Sequence, residues 1–104
     1  ACARELIVGD AVSADWRSVD LSQHKVHAEV AGRLARDGSG EAVLGNPRKA
    51  LTWLVNEVTS FGLDVQAGEL VTTGTCMVPL EVLPGDRVDV DYGAFGAISV
   101  QFER

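Results

Sequence analysis

The stretch "GNPRKALTWLVNEVTSFG", residues 45–62, limits the fold more than any other. Asn46 is a good helix N-cap, because its side-chain oxygen can accept from the free amides of the first turn. Pro47 stands at the first helical position, where a missing N–H costs nothing. Ala50, Leu51, Leu54, Val55, Val58 and Phe61 recur at steps of three and four, which predicts one apolar stripe facing a core. Gly62 is placed to end the helix with a positive φ. The spacing therefore predicts a helix over about residues 47–60.

The segments around it read as β. "RELIVG", residues 4–9, reads as a short apolar strand stopping at Gly9, and residues 10–23 as a loop anchored by Trp16 and Leu21. "KVHAEVAGRL", residues 25–34, alternates with Val26, Ala28 and Val30 on one face and His27 and Glu29 on the other, and "RDGSG" supplies a turn. "GELVTTG" reads as a strand entered by a turn at Gly68, and "PLEVLPGD" as a short strand closed by a type II turn at Pro84 and Gly85. "RVDVDY" sets Val88, Val90 and Tyr92 against Arg87, Asp89 and Asp91. After Gly93–Gly96, "AISVQF" returns with Ile98, Val100 and Phe102 in phase, so the two runs form an antiparallel hairpin. One helix among antiparallel strands predicts an α+β, β-rich roll in a single unit over residues 1–104.

Charge and cysteine usage narrow the function. A net charge of −6 with nine scattered Lys and Arg argues against nucleic acid and against an anionic membrane surface. Cys2 and Cys76 are far apart and form no C-x-x-C pair, so a reduced, cytoplasmic setting is expected. No apolar run approaches the length of a membrane span, and no signal peptide is seen.

Few residues offer chemistry. Asp89 and Asp91 share the polar face of a strand, and a solvated face accounts for them. His24 and His27 would lie on opposite faces of a strand and so could not chelate together. "GSGEAVLGNP" lacks the third glycine of a nucleotide-binding loop and reads as a turn. In "TTGTC", Gly74 permits backbone geometry that a Cβ forbids, and Thr73 and Thr75 offer hydroxyls. On residue chemistry alone, a β-bulge with locally satisfied threonines is favoured there over a binding site.

A family resemblance changes that preference. "LGNPRKALTWLVNEV" followed by "AGELVTTGTCMVPLEVLPGDRVDVDYGAFGAISVQF" resembles the C-terminal part of the 2-keto-4-pentenoate hydratases, members of the fumarylacetoacetate hydrolase superfamily. The "LGNP" helix start, "TGT", the "PGD" turn and the closing "YGAFGAISVQF" follow the family's order. "ACARELIVG" resembles the segment after its "ADN" motif, with Cys2 where a serine is common. The resemblance implies a mixed β-sandwich or roll. It also implies an oligomeric lyase of aromatic-compound catabolism that hydrates 2-hydroxypenta-2,4-dienoate or a related 2-oxo acid with Mg²⁺ or Mn²⁺ as Lewis acid.

A 4-oxalocrotonate-type decarboxylase on the same scaffold and a non-catalytic binding module remain open. On this resemblance Thr75, Gly74 and Thr73 line the substrate pocket, with Cys2 a further candidate. The family's metal ligands, a Glu-x-Glu pair and a later Asp, lie upstream of the matching region, and no Glu-x-Glu occurs in the chain. The expectation is therefore the C-terminal part of a larger catalytic domain, holding no metal ligand and associating with the missing part or with copies of itself.

Overall fold

The computed structural model describes residues 4–104. Its centre is a four-stranded sheet in the order β2-β1-β3-β4, with every neighbouring pair antiparallel. The strands are β1 (Lys25–Val30), β2 (Leu34–Ser39), β3 (Arg87–Asp91) and β4 (Ala97–Gln101), and α1 (Pro47–Ser60) lies between β2 and β3 in sequence. The alternation of β1 is realised directly, with Val26, Ala28 and Val30 buried and the residues between them exposed. Across the ladder Ala28 faces Val90 and Val30 faces Val88, while Val88 and Val90 face Val100 and Ile98. Val43, after the sheet's first hairpin, is the other buried apolar residue among those described. The opposite face is polar: His27 lies between Asp37 and Asp91 in the ladder.

The helix keeps its predicted ends. The Asn46 side chain accepts from the Arg48 amide at 3.0 Å, and Pro47 opens the first turn. At the other end Gly62 takes φ 77°, with Gly62 N–H donating to the Thr59 carbonyl and Leu63 N–H to that of Val58. That pair of bonds is a Schellman closure, which satisfies carbonyls the helix cannot. The expected core-facing stripe is corrected. No residue of α1 is buried, and Leu51, Val55 and Phe61 are exposed while Leu54 and Val58 are half-buried. The stripe is intact in sequence, but within the described residues no element covers it.

Other departures share that cause. Residues 4–9, 69–75 and 79–83 form no strand. Each has strand composition, but a strand exists only where a neighbour supplies its hydrogen bonds, and these have no ladder partner among the described residues. With no ladder at 69–75, the β-bulge reading of "TTGTC" falls as well. The turns predicted beside these segments do form: Gly85 takes φ 89° with Asp86 N–H donating to the Leu83 carbonyl at 3.0 Å, and Glu69 N–H reaches the Gln66 carbonyl past Gly68.

"RDGSG" is not a turn. The hairpin reverses at residues 31–33, where Gly32 takes φ 71°, and "RDGS" belongs to β2. His24 precedes β1 instead of lying in it, capping a short 3-10 turn at Leu21–Gln23. Tyr92 likewise follows β3, and Phe102 follows β4. Trp16 is largely exposed, and the loop around it is held through its backbone: Arg48 donates to the carbonyls of Trp16 and Arg17 at 2.9 and 3.1 Å.

Candidate functional site

The segment after the threonines is held to the sheet by a close backbone approach. Ser39 N–H, at the end of β2, donates to the Cys76 carbonyl at 3.1 Å. That approach needs Gly38, since a Cβ there would lie 2.3 Å from the Cys76 oxygen and 2.7 Å from the Met77 Cβ. Between this contact and the start of β1 opens a shallow cleft of about 820 Å³, lined among others by Lys25, Asp37, Ser39, Thr75, Cys76 and Met77.

Thr75 lines this cleft, but its hydroxyl proton is engaged, donating to the Met77 carbonyl at 2.9 Å. To donate to a bound carboxylate the hydroxyl must leave Met77. Gly74, next to it, takes φ 105°, with no atom within 4 Å of where its Cβ would be. The backbone angle accounts for glycine here, and no neighbour in this chain crowds it. Thr73 is half-buried and, like Gly74, does not line the cleft. Cys2 lies outside the described residues. Of the three candidates among the described residues, Thr75 alone reaches the cleft.

Lys25, Asp37 and Ser39 were missed by sequence reasoning, which took "RDGSG" for a turn and so never set β2 beside the threonines. The Lys25 ammonium and the Ser39 and Thr75 hydroxyls are the groups here that can meet a small anion. Asp37 is occupied elsewhere, accepting from His27 Nδ1 at 2.6 Å. That hydrogen bond raises the pKa of His27 above its usual value, and the charges of Asp37, Glu29 and Asp91 add to it against a smaller opposing effect of burial.

The carboxylates on the other strands serve structure. Asp89 accepts from Ser99 and from Arg87, and the Ser99 hydroxyl is the main cause that holds its pKa below the usual value. Asp91 accepts from Gly93 N–H at 2.8 Å. His24 donates to the Tyr92 carbonyl at 2.5 Å and packs on Phe95 with ring centroids 4.6 Å apart. Among the described residues no group of three His, Cys, Asp or Glu is placed to hold a metal ion. None of their helices is long and apolar enough to cross a membrane.

No family model matches the chain. It is 34% identical over 88 residues to a 2-hydroxyhexa-2,4-dienoate hydratase of Comamonas testosteroni, a match covering 85% of this chain and 33% of the relative. A 4-oxalocrotonate decarboxylase of Pseudomonas putida is 34% identical over 89 residues, covering 86% of this chain and 34% of that protein. The solved structure of the 4-oxalocrotonate decarboxylase from Pseudomonas putida G7, complexed with magnesium and adipate, superposes with a TM-score of 0.73 at 34% identity, over 81% of this chain and 32% of that one. By sequence and by fold the chain is thus a relative of the fumarylacetoacetate hydrolase superfamily. Within it, the chain corresponds to the C-terminal part of the 2-keto-4-pentenoate hydratases and 4-oxalocrotonate decarboxylases, spanning about a third of their length.

Proposed function

We propose that the chain is the C-terminal part of a metal-dependent hydratase acting on 2-hydroxypenta-2,4-dienoate or a related 2-oxo acid of aromatic-compound catabolism. The observation that carries this is the 34% identity over 88 residues to a dienoate hydratase. On this reading the sheet and helix belong to a larger sandwich-type catalytic domain, oligomeric and cytoplasmic, whose other part supplies Mg²⁺ or Mn²⁺ with its ligands. The described residues do not fit a metal site, and on this reading the ion's chemistry belongs to that other part. This chain contributes a wall: Thr75, with Gly74 and Thr73 behind it, faces the carboxylate end of the substrate.

The test is hydration of 2-hydroxypenta-2,4-dienoate with Mg²⁺ present. The 104-residue chain alone should give no turnover, and activity should appear only with polypeptide carrying a Glu-x-Glu and a later Asp. Turnover by the chain alone, or an upstream sequence and partner both lacking those residues, would sink the proposal. The decarboxylase reading is favoured by the solved relatives, and CO₂ release in place of hydrated product would establish it. Titration with Mg²⁺ and oxalate separates off a binding module, which would bind both without any turnover.

A further inference from the structure

The threonine cleft holds a cation that no carboxylate occupies. Lys25 opens β1, and the ladder sets it opposite Ser39, the last residue of β2. Two residues further along, His27 stands opposite Asp37, so the period of the strand puts all four side chains on the polar face of the sheet. Diagonal neighbours on such a face are within reach of a long side chain, and a Lys25–Asp37 ion pair is the ordinary outcome. It does not form. Asp37 accepts from His27 Nδ1 at 2.6 Å, and among the described residues the ion pairs are His27–Asp37, Arg33–Asp86 and Arg87–Asp89. A chain with 15 acidic and nine basic residues thus leaves this ammonium without an anion. Ser39, half-buried beside it, precedes the 3-10 turn at Gly40–Ala42 without capping it through its side chain. The Thr75 hydroxyl, by contrast, has its proton on the Met77 carbonyl.

We infer that Lys25, with Ser39 beside it, is the substrate-binding group that holds the carboxylate of a small 2-oxo acid in this cleft. The inference rests on reading the cleft as part of the hydratase site, and it supplies the charge that Thr75 lacks. Charge-assisted donation from an ammonium to a carboxylate is stronger than donation from a neutral hydroxyl. The span also fits. Adjacent strands lie about 4.8 Å apart, and the bond from Ser39 N–H to the Cys76 carbonyl ties the Thr75–Met77 segment to the far side of β2, so that segment runs roughly 10 Å from β1. An acid of about four carbons, roughly 5–6 Å end to end, fills that width with its charged end at Lys25 and its tail toward Met77 and Val78.

The test is titration of the 104-residue chain with 2-oxobutyrate at low, constant ionic strength, followed by amide NMR shifts. Saturable shifts are expected at Lys25, Ser39 and Cys76, with a Kd of about 1–10 mM. The methyl ester of the same acid, which has no charge, should not bind. Lys25 is exposed, so its replacement leaves the fold intact, which unchanged β1 and β3 signals would verify. Lys25→Met should weaken binding roughly fivefold or more, and Lys25→Arg should restore it to within about twofold. The inference is overturned if the acid gives no saturable shift at up to ~50 mM, if the ester binds as well as the acid, if Lys25→Met binds like the wild type, or if inorganic phosphate occupies the site at lower concentration than the acid. The titration needs neither metal nor the missing polypeptide and the hydratase assay reports turnover, so either reading can fail while the other stands.

Discussion

Gly38 shows what single residues decide in this fold. Substituting Gly38→Ala forces the Cys76 carbonyl and the Met77 side chain to give way, because the added carbon would lie 2.3 Å from the former. The expected outcome is a several-fold faster reaction of Cys76 with a thiol reagent and little change in the sheet, read by amide exchange on β1 and β3. Titration acts at His27. Its pKa is raised in the folded chain, so the His27 and Asp37 pair stabilises the β1–β2 hairpin fully below about pH 6.5 and loses that contribution as pH rises through the folded value. Thermal melts should show the wild type losing more stability than His27→Gln between about pH 5 and pH 8; parallel profiles would contradict this. Asp86 has the opposite sign. It accepts from the Leu83 amide at 2.7 Å and pairs with Arg33, which lowers its pKa, so its contribution is lost only as pH falls below the usual carboxylate value.

At the level of elements, what the sequence made legible divides by the source of the hydrogen bonds. The helix closes its own, so Asn46, Pro47 and Gly62 announced both ends correctly. The β3–β4 hairpin was legible because its partner strands are adjacent in sequence, joined through the tight turn at Gly93–Phe95. Strands at 4–9 and 68–74 were misread because composition announces the tendency to pair and not the presence of a mate. The Thr75 cleft was half legible for a related reason: its threonine stood out in the sequence, but Lys25 and Ser39 become neighbours only through the β2 register. Two measurements belong at this scale. Asn46→Ala should destabilise the chain by about 1 kcal/mol in urea titration, through the lost cap. Leu51→Lys, on the uncovered stripe, should change stability by less than about 0.5 kcal/mol, a tolerance that buried stripes do not show.

For the whole molecule, looseness is the main fact. The radius of gyration is 15.2 Å where a compact chain of this length would give about 13 Å. The surface buried on folding is correspondingly small, roughly 8,000 Å² against about 10,000 Å² for a compact domain of this mass. Since the urea m-value follows that area, it should fall about a fifth below the value typical for the chain's length, and a normal m-value would mean that the chain closes up in solution. The contact between Ser39 and Cys76 has one further consequence. It is made by main-chain atoms on both sides, so it is indifferent to the side chain at position 76 and intolerant of any at position 38. A library randomised at both positions should therefore accept many residues at 76 and return glycine at 38, and the cysteine would prove the more replaceable of the two.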